Sequence, residues 1–253
     1  STCPNATAYS NTLTGTYTVT AGSTTVTGSG TAANTEMRVG DFIVLDGRST
    51  KVTAIANTTS LTIGSAHLTG ATAVSGTRRW EFFGEFDSAP GTSTNGAALG
   101  ASGDELHVVV QDFTGAITGT ANTVLEKFGY LSKGSDAKAD TGGSNYYKNA
   151  INDRSNYVWW TAHDNAGSNW GNTLSGTTYT AVNTPKAYSL AGGSDGNALT
   201  DGDRSTSYVL LANKQEVPAS IIITGQANAT VVNRVIADVG EVRKDVVVCV
   251  SPI

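Results

Sequence analysis

Basic clusters, cysteine pairs and long apolar runs are all scarce in this chain. No stretch approaches the roughly 20 apolar residues that cross a bilayer as a helix, so membrane insertion is not expected. The first residues show no basic segment leading into an apolar run, so no secretory leader is expected there. Lys and Arg total 16 against 21 Asp and Glu, for a net charge of -5, and no Lys/Arg-rich run occurs. Sequence-independent nucleic-acid binding rests on many phosphate contacts, which this composition does not supply; direct binding of DNA or RNA is not expected. The two cysteines, Cys3 and Cys249, stand near opposite ends, with no CxxC or Cys/His cluster to make a zinc site. Cys249 lies in an apolar run and reads as a buried thiol; pairing with Cys3 would require the two ends to meet.

What remains is a Thr-, Ser- and Gly-rich chain of 253 residues in which only 15% are charged. That length can bury a core without disulfides or metals. Residues 13–77 read as short strands separated by turns. Tyr17 and Val19 alternate with Thr16, Thr18 and Thr20, and a similar stretch at 24–28 reads as the hairpin partner. Phe42–Leu45 leads into Asp46-Gly47, a strong hairpin turn signal. Lys51–Ile55 alternates again, Asn57–Ser60 turns, and Leu61–Ile63 comes next. The pattern argues for a small antiparallel barrel or sandwich.

From residue 78 the pattern changes. Leu106–Val110, Ile221–Ile223 and Val246–Val250 are continuous apolar runs, as expected of strands covered on both faces in an α/β sheet. Asn228 can cap a helix with Val231, Val232, Val235, Ile236, Val239 and Val242 on one face, giving a right-handed βαβ unit over 221–250. Further helices are expected from Asp201 or Asp203 to about Lys214 and around Tyr146–Arg154. Strands are expected at Tyr157–Trp160 and Ala187–Leu190. The fold class expected is thus α+β or α/β, with a β-rich domain over 1–77 and an α/β domain with a mixed sheet and flanking helices over 78–253.

Candidate chemistry is thin. Gly192-Gly193-Ser194-Asp195-Gly196 matches the G-x-S-x-G nucleophile elbow. The loop-like Asn197–Thr200 comes after it, however, and His67, His107 and His163 all precede Ser194; a glycine-rich turn is the blander account. Asp195, Asp201 and Asp203 have part of a calcium spacing without an EF-hand loop, and helix capping by Asp201 or Asp203 accounts for them. Arg78-Arg79-Trp80 with Phe82, Phe83 and Phe86 reads as a strand packing its aromatics, not as a base-stacking surface. Trp159, Trp160 and Trp170 with Tyr146, Tyr147 and Tyr157 could line a sugar site, but at this density aromatics are more often core. No catalytic, cofactor-binding or metal-binding residue is assigned.

Five segments carry a resemblance. They are Phe86–Ser93 with Asp104–Val110; Thr123–Phe128 running to Leu131–Lys133 and Asp136–Lys138; Asn145–Lys148 with Ile151, Asn152 and Ser155; Leu190–Gly196; and Arg243–Asp245 leading through Val248–Val250 to Ser251 and Pro252. In this order they resemble the contractile tail sheath proteins of myovirus-type bacteriophages, notably those of cyanophages. The resemblance implies a structural virion protein and no enzyme or cofactor. It implies assembly in the host cytoplasm and partners that are other sheath subunits in hexameric rings, the tail tube and the baseplate. Region 1–77 would be the protruding outer domain. Both ends read as cut from a longer protein, so a monomeric fragment lacking the terminal arms and the tube-facing part is expected. The alternatives are a Ser194 hydrolase, or an adhesin or carbohydrate-binding module.

Overall fold

The computed structural model describes residues 1–162, 166–193 and 196–252. Among them the fold is mixed α+β: one large curled antiparallel sheet, smaller sheets and a few short helices. It divides into two compact units, Ser1–Ser189 and Leu190–Ile253. In chain order the strands are β1 (Thr2–Cys3), β2 (Ser10–Thr12), β3 (Thr16–Val19), β4 (Thr25–Ser29), β5 (Phe42–Leu45), β6 (Arg48–Asn57), β7 (Ser60–Ile63), β8 (Ala71–Val74), β9 (Thr77–Arg79), β10 (Glu105–Asp112), β11 (Thr123–Ser132), β12 (Ile221–Ala227) and β13 (Val247–Pro252). The helices are α1 (Ala6–Tyr9), α2 (Ala33–Glu36), α3 (Thr94–Ala98), α4 (Tyr147–Arg154), α5 (Asp201–Val209), α6 (Ala229–Val235) and α7 (Glu241–Arg243).

The large sheet has the order β2-β9-β5-β6-β7-β4-β3-β8. Its strands alternate because one face is wet: Tyr17, Val19, Val26, Ile43, Leu45, Val52, Leu61 and Ile63 point into one core, while the intervening Thr, Ser and Lys residues meet water. Each fully buried aliphatic side chain here contributes about 1.5–3 kcal/mol. The expected Asp46-Gly47 turn is present. Both residues take positive φ, 47° and 74°, and Leu45 pairs with Arg48, as a two-residue hairpin with a primed turn requires.

The run Leu106–Val110 behaves differently from the α/β expectation. As part of β10 it is the centre of an antiparallel sheet, β1-β10-β11. It is apolar on both sides because two cores flank it. Leu106 and Val108 join Phe128, Leu131, Tyr147 and Ile151, whereas Val109 joins Cys3, Ala8, Trp80 and Phe82. An apolar run reports burial on both faces, not strand direction; the β10–β11 hairpin connection sets the antiparallel sense.

In the second unit β12 and β13 pair in parallel, with α6 in the connection between them. Ile222 and Val248 face Val231, Val235 and Val239. The opposite face is open: Ile221, Ile223 and Val247 are 62%, 72% and 62% exposed. This corrects the expectation of strands covered on both faces. It also places Cys249 in the open, because its side chain alternates to that uncovered face. Cys3 is buried, and both thiols are free.

The helix after Asn228 starts as expected, the Asn228 carboxamide oxygen accepting from Val231 N at 3.0 Å. It passes through a π turn at Ile236–Gly240 before α7. Ile236, expected on the apolar face, is 42% exposed; the extra residue of the π turn rotates the succeeding residues about the helix axis, and Val242 is swung out to 64% exposure. The helix expected to reach Lys214 ends sooner, α5 tightening into a 3-10 turn at Leu210–Ala212. Tyr157–Trp160 and Ala187–Leu190 form no strand. In the first of these, Val158 and Trp160 pack on the core beside α4, so their apolar character reflects burial without sheet pairing.

Candidate functional site

The sequence-expected groups are scattered. Ser194, Asp195 and His163 lie outside the described residues. The other two histidines are committed to backbone groups. His67 Nε2 is 3.4 Å from Leu45 O, and His107 Nε2 is 3.0 Å from Ser88 O. Among the described residues no histidine bonds a serine hydroxyl, and no cluster of His, Cys, Asp and Glu is arranged to hold a metal.

Asp201 and Asp203 have structural tasks. Thr200, one residue before the expected position, is the N-cap of α5, and Asp203 completes a reciprocal capping box. Those bonds from Thr200 hold the Asp203 carboxyl below its usual range. Asp201 accepts from the Asn228 carboxamide, which ties the starts of α5 and α6 together.

Arg78, buried at 1% exposure, donates to Ala8 O at 2.7 Å and Thr7 O at 2.6 Å. Trp80 and Phe82 are core, and Arg79 lies over the Phe83 ring at 5.2 Å. The Arg-Arg-Trp segment is therefore a strand end fastening α1. In the second aromatic group, Tyr147 is buried, and Tyr146, Trp160 and Trp170 pack around it. Tyr157 and Trp159 are exposed.

The most concentrated buried polar chemistry was not foreseen from sequence. Asp104 accepts from Ser93 N and Ser93 Oγ, each at 2.8 Å, and from Ser132 Oγ at 2.6 Å. Beside it, Lys133 Nζ donates to the carbonyls of Pro4 at 2.7 Å, Gly103 at 2.6 Å and Glu105 at 2.8 Å. Burial pulls the Lys133 ammonium down to about 8, opposed by the Asp104 charge. Gly96 is packed so tightly on this knot that a Cβ would sit 2.7 Å from Asp104 Oδ1. Both serine hydroxyls are spent on the carboxylate, so neither is poised as a nucleophile. The arrangement fixes backbone; it has no open face for a substrate.

Two surface depressions flank the large sheet. One of about 460 Å³ is lined by Thr18, Thr20, Thr69 and Thr72 with Asp46 and small apolar residues. The other, about 220 Å³, includes Glu36, Arg38, Asp41 and Lys186. Burial pushes the Asp41 carboxyl up to about 6, against the opposing pull of Arg78. Its oxygens accept from Arg38 N at 3.0 Å and Glu81 N at 3.2 Å, so Asp41 braces a turn.

Comparison with protein-family models, with curated proteins and with solved structures finds no match. The chemistry of the chain therefore rests on its own geometry, and that geometry is one of fasteners. Arg243 repeats the theme in the second unit. It donates to Leu211 O and Val217 O at 2.9 Å and Ala219 O at 3.2 Å, and forks onto Asp245.

Proposed function

We propose that this chain is a structural subunit of a contractile phage tail sheath, and not an enzyme. One observation carries the reading beyond the resemblance in sequence. Motif segments far apart in the chain, Phe86–Ser93, Asp104–Val110, Thr123–Lys133 and Asn145–Ser155, are bonded to one another. Ser93 and Ser132 meet on Asp104, Ser132 N donates to Asn145 O at 2.9 Å, and Ser155 Oγ donates to Glu126 at 2.5 Å. The residues that carry the resemblance thus serve to hold a shape, as a load-transmitting subunit requires.

On this reading the partners are further sheath subunits in six-fold rings, the tail tube and the baseplate, and the place of action is the virion. Contraction draws its energy from the difference between two packings of the same subunits, without nucleotide or cofactor. The β-rich region 1–77 would be the protruding part. An antibody to this chain, applied to phage-producing lysates under the electron microscope, is expected to decorate striated tubes along their length. Labelling confined to tail tips or capsids, or no labelling of tubes, overturns the proposal.

A second reading, carbohydrate binding, draws on the exposed Tyr157 and Trp159, whose ring faces suit sugar stacking. Glycan binding abolished by Trp159→Ala would favour it.

A further inference from the structure

His107 occupies a β-bulge. Leu106 pairs with Leu131 and Val108 with Phe128, so one residue of β10 faces two of β11, Gly129 and Tyr130. The imidazole fills this irregularity. Its Nδ1 accepts the Tyr130 N–H at 3.0 Å, and its Nε2 lies 3.0 Å from the Ser88 carbonyl. A carbonyl only accepts and an amide N–H only donates, so the pair fixes one neutral tautomer: protonated at Nε2, bare at Nδ1.

Aromatic rings also pack against the imidazole. Phe86 stacks on it at 4.1 Å and 8°, Tyr130 meets it edge-on at 4.7 Å, and Trp80 stacks beyond Phe86 at 5.9 Å. Ser88 closes the circuit, its N–H donating to Tyr130 Oη at 3.0 Å. Tyr130 itself sits at φ 56°, a left-handed conformation that a bulky residue adopts only when its surroundings hold it there. Its carbonyl is held by Asn145 Nδ2 at 2.9 Å.

We propose that His107 is an acid-sensitive fastener: a second proton, taken up at Nδ1, removes the acceptor for Tyr130 N–H and releases the Phe86–Ser88 segment from β11. The protonated ring would present an N–H to an N–H, and the left-handed Tyr130 would lose one of its restraints. No carboxylate bonds the ring, whose two nitrogens meet Ser88 O and Tyr130 N. Cys3, paired with His107 across β1, is held neutral with its thiol pushed up to about 12 by burial. Burial likewise raises Tyr9 of α1, and the Tyr130 ring meets the imidazole edge-on. Glu105 on β10 is raised by burial and is bonded to Gly91 N; Asp87 adjoins Ser88. Desolvation correspondingly lowers the His107 pKa below 6.5. The device is a property of the fold and holds whichever assembly the chain belongs to.

The test is amide hydrogen exchange with imidazole NMR on the intact chain, from about pH 7.5 to about pH 5. The expected result is a His107 ring in the Nε2–H tautomer that titrates below 6.5, with Tyr130 and Ser88 amides losing protection by about tenfold or more as it does. His107→Gln, which cannot titrate, is expected to abolish that pH dependence. Should that variant not fold, the wild-type titration decides alone. A ring titrating at or above 6.5, the opposite tautomer, or Tyr130 protection unchanged across the range overturns the proposal.

Discussion

Lys133 Nζ donates to the carbonyl of Pro4 at 2.7 Å, across 129 residues of chain, and so fastens the N-terminal strand to the end of β11. The same ammonium satisfies Gly103 and Glu105. Lys133→Met keeps the length of the stem and leaves three buried carbonyls without a donor. It is expected to destabilise the first unit by about 3 kcal/mol or more, read as a lower denaturant midpoint. Arg in its place does not fit three convergent carbonyls and is expected not to rescue.

Asp112 organises the tip of the β10–β11 hairpin. Its carboxylate accepts from Gly115 N at 2.9 Å, Ile117 N at 2.9 Å, Thr118 N at 2.8 Å and Thr118 Oγ1 at 3.0 Å. The bond from Thr118 N leads in holding its pKa below 3.8. A carboxyl depressed in the folded state supports the loop fully above 3.8 and loses that support as pH falls through the lower folded value. Asp112→Ala is expected to speed exchange at Gly115, Ile117 and Thr118 at neutral pH while β10 stays protected.

His107 has the opposite charge type and the same sign of slope. Its folded pKa lies below 6.5, so the unfolded chain binds more protons between the two values and stability rises with pH across that window. Its contribution is complete above 6.5 and declines as pH falls below it. Denaturant midpoints measured through this range are expected to fall toward acid, and to do so less in His107→Gln.

Arg243 holds the second unit. Arg243→Ala strands the carbonyls of Leu211, Val217 and Ala219 and is expected to cost about 2–4 kcal/mol. Because the chain comprises two compact units, hydrogen exchange is expected to show the loss in β12, α6 and β13 and not in the large sheet.

The two thiols should differ. Cys249 is exposed and Cys3 is buried, its thiol raised to about 12. A thiol reagent is expected to label one cysteine per native chain, at Cys249, and a second only on unfolding. Labelling of Cys3 in the folded protein would contradict the core position of β1.

The β-rich region was legible because its signals are local. Asp46-Gly47 specifies a turn within four residues, and the alternation in Thr16–Val19 specifies which side meets water. The Asn228 cap and the Val231, Val235 and Val239 stripe were legible for the same reason. The stripe failed at Ile236 and Val242, both exposed; Val242 follows a π turn that no residue pattern announced and that changed the phase. Thr200-x-x-Asp203 does spell the α5 cap, but the same residues also carry the acidic spacing Asp201-x-Asp203, and only the bonds formed at the helix start separate the two patterns.

By itself the sequence determined which positions are apolar and several local elements, among them the Asp46-Gly47 hairpin turn and the Asn228 helix cap, but it placed strands at Tyr157–Trp160 and Ala187–Leu190 where none forms. It did not determine strand direction, since a run such as Leu106–Val110 reads alike in parallel and antiparallel sheets. Nor did it reveal the fasteners, because Lys133, Asp104, Arg243 and His107 look like ordinary polar residues along the chain. Only the tertiary structure buries them, and burial turns an ordinary ammonium, carboxylate or imidazole into a fixed anchor. Once water is excluded, each must be matched by groups brought from distant parts of the chain.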